Sequence, residues 1–375
     1  MKIAQIVPSL EERHGGPSKS VRRLAEALTR LGHEVDLLAT LPERSGEPSQ
    51  TDGLRVLQFR RDSPEFLCPS AGLRNHLRRN SYDCLHHHAL WLRTLHYARR
   101  AGHATGVPLV ISPRGMLSDW SWGHRRWKKW LASRLVHPGA FHGARGWHAT
   151  SEAEVDDIRR RGFRQPICVA PNGVEAPVSE ELIRARDIWF RLCPAVTSQP
   201  VALFYSRFHR KKRLLELIDL WTTVAPREWL LLVAGIPQEY SVNELNAYAQ
   251  RRSAGERIRV VDASDQPPPY GVASAFLLPS HSENFGMVIA EAMAWGVPVL
   301  VTDTTPWTRL AEHDVGWCVP WADYGEALRR ILAEPGDRLK ARGARARDWV
   351  LSQCSWEQTA RLLAGFYDRL ARRQT

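Results

Sequence analysis

The 375-residue sequence contains no apolar run that approaches the roughly 20 residues a helix needs to cross a bilayer, so no membrane-spanning segment is predicted. Cysteine is scarce: the six cysteines are scattered without close pairs, which indicates neither a zinc cluster nor a disulfide framework. The apolar start, MKIAQIV, ends at Pro8 and is too short for a secretory signal. These absences favour a globular protein of the reducing cytoplasm.

Positive charge is the compositional feature that stands out, with a formal net charge of +12 at pH 7. Such a surface favours anionic partners: nucleic acid, anionic lipid or a phosphorylated substrate. We expect no nucleic-acid partner, because no recognised nucleic-acid-binding module accompanies the charge. Lysine and arginine cluster in four segments, Arg74–Arg79, Arg125–Lys129, Arg159–Arg164 and Arg207–Arg213.

Short apolar segments alternate with amphipathic ones along the whole chain, a pattern typical of parallel sheets in an α/β protein. The best marked helix is predicted over Ser18–Leu31, where Val21, Leu24 and Leu28 share one face. Pro171-Asn172-Gly173 predicts a turn and the end of a first domain, and Glu175–Gln199 a connection with some helix. Strands are predicted at Lys2–Val7, Glu34–Leu38, Leu54–Gln58, Cys84–His88, Leu109–Ile111 and Gly146–Ala149, then at Val201–Phe204, Trp229–Ala234, Ile258–Val261, Ala275–Pro279, Val297–Val301 and Gly316–Val319.

The segment from His281 to Asp303, HSENFGMVIAEAMAWGVPVLVTD, is the most informative part of the chain. A predicted strand leads into a polar loop with Glu283, and Gly286 then opens a run of helix formers that contains Glu291. A helix start presents unpaired N–H groups and a positive dipole end, and glycine lets an anion approach the backbone. The two carboxylates can accept hydrogen bonds from hydroxyls. A nucleotide sugar fits this combination; an ordinary strand–loop–helix with acidic residues near its N-terminus is the alternative.

This segment resembles the donor-binding signature of family 4 of the retaining glycosyltransferases, in which two glutamates are separated by seven residues, as Glu283 and Glu291 are. The resemblance implies the GT-B fold, an α/β architecture of two doubly wound, Rossmann-like domains facing across a cleft. It implies an acceptor-side domain at 1–172, a nucleotide-sugar domain at 173–355, and a C-terminal helix, 356–375, that crosses back to the first domain. Further segments resemble the family in its own order and cover nearly the whole chain: GGPSKSVRRLAEALTRLGHEVDLL, DCLHHHALW, ISPRGML, GWHATSEAEVDDIRRRGF, VAPNGVE, YSRFHRKKRLLELIDLW and LLLVAG.

A departing nucleoside diphosphate needs its developing charge neutralised, by a metal ion or by fixed cations and amides. The Asp-x-Asp pattern that would suggest a metal occurs nowhere in the chain, so no metal and no other cofactor is expected. The resemblance makes Arg207 and Lys212 the diphosphate-binding pair. The family usually has glycine after that lysine, whereas Arg213 stands here and would make the loop tighter or more basic. A solvated basic loop is the alternative.

The resemblance also assigns the two glutamates. Glu291 would hold the ribose hydroxyls, and Glu283 the hydroxyls of the transferred sugar, as a positioning and electrostatic group rather than a nucleophile. Backbone amides of the same segment would complete the anion cradle. The donor-binding residues predicted here are Glu283, Asn284, Phe285, Gly286, Met287, Val288 and Glu291.

Three consecutive histidines, His86, His87 and His88, end a predicted strand, whose alternation sends His86 and His88 to one side and His87 to the other. The resemblance places His88 beside the transferred sugar as a catalytic residue, with His86 behind it. A metal site is one alternative, although a single strand offers poor convergence. Satisfied core histidines are the other.

Two further features of the first half carry candidate site residues. Gly15 and Gly16 precede the first long helix, where the resemblance puts a loop over the diphosphate and the acceptor, and a plain flexible turn is the alternative. Arg114 follows another predicted strand. We expect it on the acceptor side with a phosphate as partner, although an ion pair with an internal carboxylate would use an arginine equally well.

Four tryptophans, Trp120, Trp122, Trp127 and Trp130, alternate with basic residues between His124 and Lys129. On a helix, Trp127, Trp130, Leu131 and Leu135 would form one stripe. A basic amphipathic helix with tryptophans suits an anionic lipid interface, and a stripe buried in the core is the alternative.

The sequence therefore predicts a retaining, metal-independent glycosyltransferase. It would move a sugar from a nucleoside-diphosphate donor to an acceptor hydroxyl, expected on a lipid-linked saccharide of cell-surface polysaccharide synthesis, in the cytoplasm or peripherally on the inner membrane face. Two alternatives stay open: a sugar-nucleotide epimerase of the same fold, and a non-catalytic protein that binds anionic glycan or nucleic acid.

Overall fold

The computed structural model describes residues 1–11, 16–42, 49–51, 53–123, 126–252 and 254–372. The chain divides into two compact units. One contains Met1–Gly173 together with Cys354–Thr375, and the other contains Val174–Gln353.

The first unit alternates strands and helices as the hydrophobic pattern predicts. Its elements up to residue 173 are β1 (Lys2–Ile6), α1 (Gly16–Arg30), β2 (Glu34–Leu41), β3 (Ser49–Thr51), β4 (Leu54–Arg60), α2 (Ala71–Arg79), β5 (Cys84–His88), α3 (Arg93–Thr105), β6 (Leu109–Ser112), α4 (Asp119–Gly123), α5 (Arg126–Leu131), β7 (Gly146–Ala149), α6 (Glu152–Arg160) and β8 (Ile167–Val169).

The second unit repeats this alternation. Its elements are α7 (Ser179–Leu192), β9 (Val201–Tyr205), α8 (Leu214–Val224), β10 (Leu230–Gly235), α9 (Val242–Arg251), β11 (Ile258–Asp262), β12 (Ala275–Leu278), α10 (Met287–Ala294), β13 (Val299–Thr302), β14 (Gly316–Val319), α11 (Tyr324–Leu332) and α12 (Gly336–Gln353), after which α13 (Trp356–Arg372) belongs to the first unit.

The sheet of the first unit has eight strands in the order β3-β4-β2-β1-β5-β6-β7-β8. All neighbours pair in parallel except β3, which runs antiparallel to β4 at one edge. Its central strands are buried on both faces; all five residues of β5 are buried, as central strands of a doubly wound sheet require. The stripe predicted on α1 is confirmed, because Val21, Leu24 and Leu28 are at most 1% exposed.

Helix α13 packs against this unit at two glycines. A Cβ on Gly146 would lie 2.6 Å from the Phe366 ring, and one on Gly173 would lie 2.3 Å from the backbone nitrogen of Trp356. The turn predicted at Pro171-Asn172-Gly173 is therefore wrong: the segment is irregular backbone, and glycine is needed there for the close approach of α13.

The sheet of the second unit has six parallel strands in the order β11-β10-β9-β12-β13-β14. Strand β9 lies beside β12, and β12 beside β13, so the loops that follow these three strands meet at one edge of the sheet. That edge is where ligands of open α/β sheets bind.

The sequence pattern missed the short strands β3 and β8, which have three residues each and give little periodicity to detect. It also treated Glu175–Gln199 as a connection with some helix. The structure forms helix α7 there, and Trp189 of α7 is fully buried with its indole N–H donated to the carbonyl of Pro267 at 2.8 Å.

Candidate active site

The loops after β9, β12 and β13 contact one another at the carboxyl edge of the second unit. The backbone N–H of His281 donates to the carbonyl of Lys211 at 2.8 Å, and the N–H of Glu283 donates to the carbonyl of Thr304 at 3.3 Å. The hydroxyls of Thr302 and Thr304 both donate to the carbonyl of Ser280, at 2.7 and 2.5 Å. The predicted basic loop and the predicted glutamate loop thus lie together.

Lys212 and Glu283 form an ion pair at this edge, and their side chains are 9% and 10% exposed. The Ser280 hydroxyl donates to the same carboxylate oxygen at 2.6 Å. Burial raises the pKa of Glu283, but Lys212 and Lys211 outweigh burial, and the pKa lies below its usual value. Glu283 is therefore ionised at neutral pH, and the alternative of a solvated loop is wrong for Lys212.

Lys211 is a further cation of this loop, and the sequence pattern did not single it out. Burial lowers the pKa of its ammonium, and the nearby Glu283 carboxylate acts in the opposite direction. The family pattern points to Lys212 and gives no signal for its neighbour. Arg207 is partly exposed, and its side chain forms no ion pair with any residue that the structure describes.

Arg213 immediately precedes α8 and lies in the left-handed region of backbone conformation, with φ 51° and ψ 40°. This backbone conformation favours glycine, so position 213 has the backbone geometry of the glycine in the family pattern although arginine occupies it. The guanidinium lies 4.8 Å from the centre of the Trp321 ring. That Arg213 makes the loop tighter or more basic than the loop of the family stays a prediction.

Gly286 precedes α10 with φ 76° and ψ 60°, so it is the residue that turns the glutamate loop into the helix. A Cβ at this position would lie 2.7 Å from Cδ1 of Ile289. The amides from Asn284 to Val288 lie at this helix start, where the helix dipole favours an anion. Glu291 lies further along α10 and accepts the Tyr270 hydroxyl at 2.9 Å.

The first unit contains a buried chain of polar side chains around the histidine strand. His86 Nδ1 lies 2.6 Å from the Tyr367 hydroxyl, and His86 Nε2 lies 2.7 Å from the Ser112 hydroxyl. Ser112 is also 2.7 Å from His148 Nδ1, and His148 Nε2 is 2.9 Å from the carbonyl of Ala170. We call the set the histidine network; its members are Gln5, His86, His88, Ser112, Arg114, His148, Asn172 and Tyr367.

The other arm of the histidine network runs through His88. His88 Nε2 is 2.7 Å from Gln5 Oε1, and Gln5 Nε2 donates to the Tyr367 hydroxyl at 3.3 Å. His88 Nδ1 is 3.0 Å from Arg114 Nη2, and Arg114 Nη1 donates to Asn172 Oδ1 at 2.7 Å. The His88 ring is fully buried, and both of its nitrogens form hydrogen bonds within the protein. Its position beside the transferred sugar stays a prediction.

The predicted alternation of the three histidines is confirmed. The rings of His86 and His88 lie 4.1 Å apart, whereas His87 points away to the Thr94 hydroxyl, at 2.9 Å. Burial lowers the pKa of His87 and of His148 to about 3, and the pKa values of His86 and His88 well below the usual value. These rings are neutral at physiological pH.

Arg114 is the member of the histidine network that is partly exposed. Its backbone has φ 53°, and the Glu154 carboxylate holds the turn by accepting the N–H of Gly115 at 2.7 Å. Burial lowers the pKa of Arg114 to about 10. The charge of the Glu154 carboxylate acts against burial and raises the Arg114 pKa, so an internal carboxylate compensates part of this positive charge. The Arg114 Nε atom has no hydrogen-bond partner.

The tryptophan segment is exposed, so the buried-core alternative is wrong. Trp127, Trp130, Leu131 and Leu135 are 65, 57, 39 and 65% exposed. The four residues of the predicted stripe lie on α5, which ends at Leu131, and on the π-helical turn at 132–136 that follows it. Lys128 and Arg134 lie over the Trp127 and Trp130 rings, at 5.4 and 4.6 Å from their centres.

Some predictions have limited or no structural counterpart. Gly15 lies outside the described residues, as do His124 and Arg125, while Gly16 is the first residue of α1. In the part of the chain that the structure describes, no group of three or more His, Cys, Asp or Glu residues is placed to hold a metal ion. All six cysteines are free thiols, and no helix within the described ranges is long and apolar enough to cross a membrane.

Each unit is an α/β unit with a largely parallel sheet and with polar loops at the carboxyl edge of that sheet, and two such units define the GT-B class of fold. Solved structures agree. Sucrose-phosphate synthase from Thermosynechococcus elongatus superposes with a TM-score of 0.76 at 19% identity, over 99% of both chains. Anabaena HepE in complex with UDP-glucose gives a TM-score of 0.75 at 19% identity, over 98% of this chain and 100% of that one.

Sequence comparisons identify the family. The profile described as glycosyl transferase 4-like domain matches residues 15–173, and the profile described as glycosyl transferases group 1 matches residues 186–349. The chain belongs to this glycosyltransferase family, and the resemblance stated from the sequence is confirmed.

Two full-length relatives are similar to the chain. D-inositol 3-phosphate glycosyltransferase of Xylanimonas cellulosilytica is 26% identical over 96% of this chain and 93% of the relative. GDP-mannose:cellobiosyl-diphosphopolyprenol alpha-mannosyltransferase of Komagataeibacter xylinus is 25% identical over 99% and 93%.

Proposed function

We propose that the protein is a retaining glycosyltransferase that moves a sugar from a nucleoside-diphosphate donor to an acceptor hydroxyl without a metal ion. The donor domain would be 173–355, and the acceptor domain 1–172 with the final helix 356–375. The observation that carries the proposal is the buried Lys212–Glu283 ion pair beside the start of α10.

The chemistry of the donor edge follows from its charges. When the bond between the anomeric carbon and the diphosphate oxygen breaks, negative charge develops on the diphosphate, and preorganised cations and amides stabilise it. Lys212, Lys211 and the partly exposed Arg207 supply positive charge, and the amides at the start of α10 supply dipoles. These groups take the part that a divalent ion plays in other transferases.

The two glutamates serve hydroxyl recognition. Glu283 is ionised, and its ion pair leaves lone pairs that can accept from the hydroxyls of the transferred sugar. Glu291 accepts from Tyr270, and a carboxylate has further lone pairs that can accept from the ribose hydroxyls. Neither role requires the carboxylate to attack the anomeric carbon.

Arg114 supports an acceptor that carries a negative charge. Burial lowers the pKa of the partly exposed Arg114 although the Glu154 carboxylate acts in the opposite direction, so its positive charge is incompletely compensated and an anionic ligand would stabilise it. The names of both relatives contain a phosphorylated compound, inositol 3-phosphate in one and a diphosphopolyprenol in the other. We infer that a phosphate or diphosphate of the acceptor binds Arg114, and that the acceptor is a lipid-linked saccharide.

The exposed tryptophan segment supports peripheral binding to an anionic membrane. The apolar side chains, which are 39–65% exposed, can be buried in the lipid interface. The flanking Arg126, Lys128 and Arg134 would be attracted to anionic headgroups. Sedimentation with phosphatidylglycerol vesicles should exceed that with phosphatidylcholine vesicles and weaken in high salt. Replacing Trp127 and Trp130 by serine should abolish the excess; equal binding to both lipids would exclude this role.

A panel of labelled sugar nucleotides with lipid-linked and phosphorylated acceptors tests the activity. We expect sugar transfer and release of nucleoside diphosphate, with the anomeric configuration of the donor kept in the product and with no loss in EDTA. Glu291→Ala and Arg207→Ala should lose transfer while remaining folded. Near-normal turnover in either variant, or dependence on a divalent ion, would contradict the proposed donor site.

A further inference from the structure

The histidine network ends in two groups that each have one possible role in hydrogen bonding. A backbone carbonyl accepts and never donates, and the carbonyl of Ala170 lies 2.9 Å from His148 Nε2. An arginine guanidinium donates and never accepts, and Arg114 Nη2 lies 3.0 Å from His88 Nδ1. The positions of the protons along the network can therefore be deduced from either end.

From the carbonyl end, His148 must carry its proton on Nε2. Because burial keeps this imidazole neutral, its Nδ1 accepts the hydroxyl proton of Ser112. Ser112 then accepts from Nε2–H of His86. His86 Nδ1 is left as an acceptor, so it takes the hydroxyl proton of Tyr367.

From the arginine end, His88 must keep a lone pair on Nδ1 and carry its proton on Nε2. That proton is donated to Gln5 Oε1, which fixes the orientation of the Gln5 amide. The Gln5 amino group then donates to the Tyr367 oxygen. Tyr367 accepts one hydrogen bond and donates one, so the deductions from the two ends agree at this residue.

Tyr367 lies on α13 and is fully buried. Without its hydroxyl, the Gln5 amino group and His86 Nδ1 would both lose their partners, and buried polar groups without partners are costly. Gln5 would lose the contact that holds its amide against His88, and His88 is what holds one arm of the Arg114 guanidinium.

We propose that Tyr367 is a positioning residue for the acceptor side of the transferase site, acting through Gln5 and His88 on Arg114. The inference rests on the proposed function, in which Arg114 binds the charged group of the acceptor. Tyr367 itself is fully buried, so this role is exerted through its hydrogen bonds and not by contact with a substrate.

His87 provides an internal reference. Its Nδ1 lies 3.1 Å from the carbonyl of Ala89, so that nitrogen carries the proton, and its Nε2 accepts the Thr94 hydroxyl. Adjacent histidines of one strand are thus assigned opposite tautomers: proton on Nδ1 for His87, and on Nε2 for His86 and His88. His148 shares the Nε2 form.

Long-range ¹H–¹⁵N correlation spectra of protein labelled at histidine test the assignment, with signals assigned by single His→Gln substitutions. We expect the Nε2–H form for His86, His88 and His148, the Nδ1–H form for His87, and slow exchange of the His88 ring proton with water. In Tyr367→Phe, and in Gln5→Met, which cuts the same arm nearer to His88, the His88 signal should shift and its proton exchange faster. Tyr82→Phe is the matched control, since Tyr82 is also buried and donates to Asp36 at 2.6 Å outside the network.

Kinetics separate positioning from a merely structural role. In Tyr367→Phe, we expect the acceptor KM to rise about tenfold, the equivalent of one neutral hydrogen bond, while affinity for UDP and GDP stays at the wild-type value. Tyr82→Phe should lower thermal stability without changing the acceptor KM.

An unchanged His88 signal in both Tyr367→Phe and Gln5→Met, or a wild-type His88 with its proton on Nδ1, overturns the proposal. Failure of the proposed function gives a different result: the spectra behave as expected, but Arg114→Ala transfers sugar at the wild-type rate.

Discussion

The two units present opposite kinds of polar chemistry at their sites. The histidine network of the first unit is buried and neutral apart from Arg114, and every link in it is a hydrogen bond. The loops of the second unit concentrate formal charge, with Lys211, Lys212 and Glu283 at one edge. The hydrogen bonds of the first unit have fixed donors and acceptors, whereas the charges of the second unit create an electrostatic field at its edge.

This difference suits the two halves of a transfer reaction. A departing diphosphate is recognised by charge, which acts over several ångströms and tolerates small displacements. An acceptor hydroxyl must be aligned with the anomeric carbon, and alignment requires groups held in one geometry. A fully satisfied buried network provides such rigidity.

The strongest test of the charged edge is Lys212→Met. Transfer should fall about 10²- to 10³-fold, because one preorganised stabiliser of the leaving group is lost. Stability should also fall, by about 3 kcal/mol, because Glu283 stays ionised and buried without its partner. Adding Glu283→Gln should restore stability but not activity, as chemical denaturation and initial rates would show. Activity within tenfold of wild type would exclude Lys212 from the donor site.

The strongest test of the neutral network is His88→Ala, with His87→Ala as its matched control. Both remove a fully buried, hydrogen-bonded imidazole from the same strand. Turnover should fall about tenfold to hundredfold in His88→Ala alone, because Arg114 loses an acceptor that orients it. Affinity for UDP and GDP should not change in either variant. Equal turnover in the two variants would return His88 to a packing role.

More of the candidate site could be predicted from the sequence in the second unit than in the first. The loops of the donor edge carry a recognisable local pattern, so Glu283, Lys212 and Gly286 could be identified from the order of the residues around them. The histidine network joins residues from β1, β5, β6, β7 and α13, such as Gln5 and Tyr367, which are 362 positions apart. Nothing in the local sequence marks either residue, because only the fold brings them together.

Backbone geometry shows the same limit. Gly286 was singled out because a glycine lets an anion approach the backbone, and its φ of 76° was not predicted. The left-handed Arg114 and Arg213 gave no signal of their own, since arginine rarely adopts that region. Arg213 was noticed only through the glycine that the family has there.

Acidification should distinguish the two units. The histidines of the first unit have pKa values lowered by burial, about 3 for His87 and His148, so the unfolded chain binds their protons first as pH falls. Stability is then lost below the unfolded value near 6.5, by about 2 kcal/mol per histidine between pH 7 and pH 5.

Glu283 of the second unit behaves differently, because its pKa is lowered from 4.5 and its contribution is lost only as pH falls below that value. Hydrogen exchange at pH 7 and pH 5, corrected for intrinsic rates, should therefore show weakened protection around β5 and β6 before β9 and β12. Equal weakening in both units would mean that the buried histidines are not the source.

The smallest expected effect concerns Arg213. The two units share one backbone feature, because each has an arginine with φ near 50° beside its candidate site, Arg114 in the first and Arg213 in the second. At φ 51° a side chain costs about 1 kcal/mol that glycine avoids. The Trp321 contact recovers part of that cost, about 0.5–1 kcal/mol for a cation over a ring. Alanine keeps the strain and loses the contact, so Arg213→Gly should be more stable than Arg213→Ala by about 1 kcal/mol, the reverse of the usual order. Denaturant midpoints of the two variants measure the difference. If the alanine variant is the more stable of the two, the loop relaxes and the backbone of Arg213 is not strained. If the glycine variant is the more stable, the surrounding loop holds Arg213 in a backbone conformation that arginine disfavours, as the turn at Glu154 holds Arg114 in the first unit.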